Sequence, residues 1–176
     1  MSSQDAVIRA STEAAKNFVD HYYQCLNEVR PTSGLYVTNN RTYQEAGHPP
    51  ADICINGQVY SSPEDVDVVR RSNPTGRTTR YKVESIDAHI LNPDYRFAAP
   101  PSLLAPNPSK PDQGASTKIM LMVTVSGTVT ITEHVNTNAY KFNDVFRLVP
   151  NWDVIAKYGT KGAKRFLVAS QTLRVF

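Results

Sequence analysis

Cysteine is nearly missing from this 176-residue chain, which has only Cys25 and Cys54. Two cysteines cannot build the disulfide framework of a small secreted domain, and they leave a structural zinc site short of thiolates. The four histidines, at 21, 48, 89 and 134, do not make up the shortfall, because no two of them are three to five residues apart. Free thiols in a reducing compartment are therefore expected, with no metal and no cofactor. No run of about eighteen apolar residues occurs, and Met1-Ser2-Ser3-Gln4-Asp5 is not a basic stretch leading into an apolar one. Neither a membrane span nor a secretory leader is expected. Charge of one sign is also scarce. With 19 Lys+Arg against 16 Asp+Glu, the net +3 permits contact with RNA or an acidic protein without requiring it. The residues 159–164 lack the spacing of a phosphate loop and lead into a strand rather than a helix.

The length suits one buried core, so a single domain over residues 1–176 is expected. Ala15, Phe18, Val19, Tyr22, Leu26 and Val29 fall on one helical stripe, which predicts a helix over residues 4–29 capped by Ser2 and stopped before Pro31. Asn56-Gly57 between Asp52-Ile53-Cys54-Ile55 and Gln58-Val59-Tyr60 predicts a type I′ hairpin. Ser62-Pro63-Glu64-Asp65 predicts the start of a short helix that carries Val66, Val68 and Val69. Over residues 78–91 the alternation changes phase between Val83 and Ile86, which predicts a bulge at Glu84-Ser85. Residues 117–132 alternate cleanly as one long strand that bends at Gly127, and residues 141–149 and 165–176 predict two more. Helices come first and strands dominate the second half, so the class is α+β with a mainly antiparallel sheet. A Pro-rich insert at about 92–116 holds half of the chain's prolines, and its Tyr95, Phe97, Leu103 and Leu104 could dock on the domain or meet a partner. A second, basic insert spans about 151–164.

Proton-transfer chemistry would draw on Asp20, His21, Tyr22, Tyr23, Asp87 and His89, but their strand and helix phases do not converge, and no catalytic residue is assigned. Arg70, Arg71, Arg77, Arg80 and Lys82 crowd the second helix and the strand after it. With Lys157, Lys161 and Lys164 of the basic insert, they are the candidate RNA contacts.

The helix Phe18-Val19-Asp20-His21-Tyr22-Tyr23, the hairpin, the strand at 119–129 and the closing run Ser170-Gln171-Thr172-Leu173-Arg174-Val175-Phe176 together resemble the nuclear transport factor 2-like family. The resemblance implies a cone-shaped domain whose strongly bent sheet has helices on its concave side and an exposed face that pairs with another such domain. The inserts and the ending are similar to the small, noncatalytic subunit of the fungal heterodimeric mRNA export receptor. That likeness implies a large-subunit partner, nucleoporin Phe-Gly repeats and RNA as ligands, and a nuclear, pore-associated, shuttling protein. Arg174 matches an arginine that ion-pairs with the partner. Phe166, Val168, Thr172, Phe142, Asp144 and Phe146 are expected beside it on an apolar outer face. Asn56 and Thr132-Glu133-His134-Val135-Asn136 lack the acidic residues of the family's homodimeric Ran carrier. The alternatives are a dehydratase or isomerase of the same fold and a homodimeric import factor.

Overall fold

The computed structural model of the chain describes residues 3–72, 76–105, 117–159 and 162–176. The expected Ser2 cap, Lys161 and residues 106–116 of the Pro-rich insert lie outside them. Helix α1 spans Ser3–Asn27. Two 3-10 turns, Ser33–Leu35 and Val37–Asn39, lead to α2 (Arg41–Glu45), the strands β1 (Asp52–Ile55) and β2 (Gln58–Tyr60), and α3 (Pro63–Arg71). Then come β3 (Arg77–Asn92), α4 (Pro101–Leu104), β4 (Met120–Glu133), β5 (Asn136–Pro150), α5 (Trp152–Tyr158) and β6 (Phe166–Val175). The six strands form one sheet in the order β2-β1-β6-β5-β4-β3, antiparallel except where β1 lies parallel to β6.

Helix α1 ends before its apolar stripe does. Val29 takes a left-handed φ of 55°, and Arg30 N–H returns to the Cys25 carbonyl at 2.8 Å, which closes the last turn. Ala15, Phe18, Val19 and Tyr22 are buried as expected, but Val29, past the last helical residue, is 63% exposed. Phe18 and Tyr22 meet Phe146 of β5 edge-on at 5.5 and 5.0 Å, so the helix lies across the middle of the sheet.

The hairpin forms as its sequence demands, with Asn56 at φ 52° and Gly57 at φ 83°. In α3 the Ser62 hydroxyl accepts from Asp65 N–H at 3.3 Å. Its buried face is Pro63, Val66 and Asp67, and Val68 and Val69 are exposed. Polar side chains take that inward register because they serve a buried network described below.

The β3 phase change is a bulge between Val83 and Ser85, so Tyr81 and Val83 share an inner face with Ile86, Ala88 and Ile90. Gly127 faces that bulge, and a Cβ there would sit 2.0 Å from the Lys82 carbonyl oxygen. At the sheet edge the Asn27 amide accepts from Tyr81 N–H at 2.7 Å and donates to Tyr81 C=O at 2.9 Å. One side chain thus stands in for a strand neighbour where β3 has none.

Strand β5 begins earlier than predicted. Residues 136–141 are exposed and pair with the end of β4, so this hairpin runs on past the covered sheet. The basic insert is not a loop throughout, since it contains α5. Trp152 is buried and donates to the Phe97 carbonyl at 2.8 Å, and Phe97 stacks on Tyr43 at 6.3 Å. Tyr95 and Leu103 pack on the core, so this end of the Pro-rich insert docks on its own domain.

Candidate partner interface and a filled interior

Strand register defines two faces. The inner face carries Phe142, Asp144, Phe146 and Leu148 of β5, with Val125 facing Asp144 from β4 and Leu173 facing it from β6. Phe142, Asp144, Phe146, Phe166 and Val168 are each at most 1% exposed, buried within this chain. Five residues expected on the partner face are therefore on the wrong side of the sheet for that role. The reason is parity: Phe146 must meet Phe18 and Tyr22, which turns residues 143, 145 and 147 outward instead.

Among the described residues no helix covers the outer face, and three register rows cross it. One runs Val59, Cys54, Thr172, Val145, Thr124 and Asp87. A second joins Arg174, Asn143, Ser126 and Ser85, and a third joins Ser170, Arg147, Met122 and His89. Thr172 and Arg174 are exposed on this face, and Arg174 Nη1 lies 4.0 Å from where a Cβ on Gly57 would stand. The face mixes Thr, Ser and Asn with Val and Met, so the expectation of an apolar face is corrected. A face of such mixed polarity can still pack against a complementary sheet.

The hollow of the cone, where a catalytic pocket would sit, is filled by a hydrogen-bonded polar network. Tyr23 OH donates to Asp144 Oδ2 at 2.7 Å, and Gln171 Nε2 donates to the same oxygen at 2.8 Å. Gln171 also accepts from Tyr36 OH at 2.5 Å, and Tyr36 lies 3.1 Å from Tyr22 OH. Arg70 donates to Tyr22 OH and to Thr32 Oγ1, both at 3.1 Å, and Thr32 Oγ1 donates to buried Asp67 at 3.1 Å. Burial pushes the Asp144 carboxyl up to about 7, against the Tyr23 and Gln171 hydrogen bonds and the Arg70 charge, which pull it down. Burial likewise holds Tyr23 and Tyr36 neutral. The network ties α1, α3, β5, β6 and residues 32–36 to one another; Asp144 Oδ1 is buried without a hydrogen-bond partner, and the contacts named above are all made within the chain.

The acid-base candidates are scattered. Asp20 is paired with Lys16 at 2.5 Å on the surface, and Asp87 and His89 pair at 3.0 Å on the outer face. His21 is half-buried, and burial, then Lys164 and Arg30, lower its pKa. Tyr22 and Tyr23 lie inside. A groove of about 420 Å³ between α1 and β3, lined in part by Asp20, Glu28, Arg80 and Tyr81, opens to solvent.

The basic residues do not form one patch. The Arg70 guanidinium is committed to Tyr22 and Thr32 inside the domain, which removes it from the candidate RNA contacts. Arg71 bonds the Asp67 carbonyl at 3.2 Å, and Arg77 pairs with Glu133 at 3.4 Å. Arg80 and Lys82 remain exposed near that end of β3. Lys157 lies over the Tyr158 ring at 5.1 Å, and Lys164 follows α5, its carbonyl accepting from Asn151 at 3.1 Å. By register Arg80 and Lys82 stand level with residues 139 and 141 of β5, whereas Lys157 and Lys164 follow its end at Pro150, roughly 30 Å further along the strand.

A bent six-stranded sheet with helices on its concave side and an open outer face defines an α+β cone whose working surface is the sheet. The nuclear transport factor 2 (NTF2) domain matches residues 14–174, and the chain belongs to that family. Among solved structures, it is similar to a chain of the Chaetomium thermophilum Mex67 NTF2-like domain complexed with Mtr2, at 41% identity and TM-score 0.83, over 95% of this chain and 99% of that one. It is similar at 40% identity and TM-score 0.80 to a chain of the Sac3N peptide bound to Mex67:Mtr2, with the same shares covered. Against the structure of Mtr2 the identity is 38% and the TM-score 0.80, again over 95% and 99%. Comparison with curated proteins finds no match.

Proposed function

We propose that this chain is the small, noncatalytic subunit of a heterodimeric nuclear mRNA export receptor, pairing through its outer sheet face with a larger subunit that carries a domain of the same fold. The observation that carries this reading is likeness to Mtr2 over 99% of that chain, together with a sheet face left open on this one. The neighbours include complexes of Mex67 with Mtr2, which supports the choice of partner. The whole of residues 1–176 acts as one domain. The filled interior supports a noncatalytic role, because a dehydratase or isomerase needs space beside its acid and base. The heterodimer binds Phe-Gly repeats weakly and many times over, so avidity carries the cargo through the pore, and the protein shuttles from the nucleus.

Replacing Arg174 with Asp is expected to abolish co-purification with the large subunit's NTF2-like domain, because the matching acid would then face an acid. Unchanged co-purification would count against the reading. So would a lone chain that forms a stable homodimer by light scattering and ignores that partner.

RNA contact is assigned to two separate basic ends, Arg80 with Lys82 and Lys157 with Lys161 and Lys164. Each lysine changed to Gln should lower the salt dependence of RNA binding by about one unit or less in the log-log slope. A slope that stays constant when all four lysines are replaced would remove RNA from this subunit.

A further inference from the structure

Three arginines on the outer face have no ion pair among the described residues; Arg80 stands on the edge strand β3, and two lie on the inner strands β5 and β6. One is Arg174. The other is Arg147, exposed on β5 while its outward neighbours Asn143 and Val145 are half-buried. Met122 flanks it on β4 and Ser170 on β6. Towards the β3 edge, Lys141 pairs with Glu84 at 3.2 Å and His89 with Asp87 at 3.0 Å, while Arg80 and Lys82 stand exposed there. Asp52 stands in the same row as Arg147 but beyond Ser170, about 10 Å away by strand spacing, and no ion pair joins them among the described residues.

A second sheet packed on this face would remove Arg147 from water. An unpaired guanidinium in the middle of an interface is costly, whereas one met by a carboxylate fork is a favoured interface pair. We infer that Arg147 is a second charge-reading residue of the partner interface, and that the occupant is a sheet face carrying two carboxylates about 14 Å apart, one for Arg147 and one for Arg174. The spacing follows from register, because Arg147 faces Ser170 and Arg174 lies four residues further along β6. This inference rests on the heterodimer reading.

A second copy of this chain fits poorly. A two-fold axis along the line joining the two arginines would face each with its own copy, and an axis across that line would face each with the other. Either arrangement sets like charges together. RNA fits the middle of the face poorly too, since the register neighbours of Arg147 and Arg174 are Met, Ser and Asn rather than a run of cations, and Arg80 and Lys82, assigned to RNA above, stand at the β3 edge.

The test uses the heterodimer made with the large subunit's NTF2-like domain. Phenylglyoxal labelling read by mass spectrometry is expected to leave Arg147 unmodified in the complex while modifying Arg41, which is 86% exposed and serves as the internal control. Arg147→Glu should weaken pairing roughly 100-fold or more and Arg147→Gln roughly 10-fold, with the melting temperature of the lone chain unchanged. Arg147 labelled as fast as Arg41 in the complex would overturn the inference. So would Arg147→Glu pairing as tightly as wild type while Arg174→Asp fails to pair, or protection of Arg147 by poly-uridine rather than by the partner. A wild-type chain that does not pair at all would instead overturn the heterodimer reading itself.

Discussion

Gly127→Ala is expected to destabilise the domain by about 3 kcal/mol or more, enough to make it insoluble if its stability is ordinary. The added Cβ would stand 2.0 Å from the Lys82 carbonyl oxygen and 2.9 Å from the Phe142 ring. A flexible side chain could step aside, but Lys82 O is backbone held by the β3–β4 ladder. Relief would require undoing the Val83–Ser85 bulge, which would turn Tyr81 and Val83 away from the face they share with Ile86, Ala88 and Ile90. Urea denaturation of the purified variant checks this. A midpoint within experimental scatter of wild type would mean that the close approach does not exist in solution.

Asp144→Asn is expected to remove a pH dependence from folding. Burial raises this carboxyl to about 7 from an ordinary value near 4, so the folded state prefers its neutral form. Below about pH 4 the group is protonated in both states and carries no penalty. As pH rises from about 4 to 7 the unfolded chain gains by ionising, stability falls, and above about 7 the loss is complete at roughly 4 kcal/mol. Between pH 5 and pH 8, wild type should therefore lose about 2–3 kcal/mol more than the Asn variant, whose amide oxygen can still accept from Tyr23 and Gln171. Other titrating groups cancel in that difference. Equal losses for the two proteins would mean that Asp144 is ionised in the fold and balanced by Arg70.

Much of the fold could be read residue by residue. Asn56-Gly57 predicted its turn because few other pairs accept two positive φ angles, and Ser62-Pro63 predicted a helix start by capping chemistry. The bulge showed as a change of phase, since a strand cannot bring Val83 and Ile86 to one face without an extra residue. The closing run also led to Arg174, which the strand register does place on the open face.

Face assignment on β5 failed because alternation separates two sets without saying which is inside. Phe142, Asp144 and Phe146 read equally well as an outer apolar stripe until α1 is laid on the sheet. Arg147 went unassigned for the same reason, although the buried aromatics of α1 were a usable signal that Phe142 and Phe146 would be needed inward. Arg70 looked like one of a surface cluster because the cluster is local in sequence. Its partners, Tyr22 and Thr32, are 48 and 38 residues away. Asp67 and Gln171 were equally hidden, as polar residues in amphipathic patterns are ordinarily solvent-facing.

By itself the sequence determined the local elements: an amphipathic first helix, a type I′ hairpin, a capped short helix, a bulged strand and a long alternating one. These follow from backbone sterics, capping and hydrophobic period, which act over a few residues. The tertiary structure alone decided which side of the sheet is covered, that Arg70 turns inward to Tyr22 and Thr32, and that Arg147 and Arg174 share the outer face. It also decided that the hollow is closed by hydrogen bonds between residues up to 149 apart. Such choices depend on the free energy of bringing distant side chains out of water together, and that energy is not defined until the chain has closed around them.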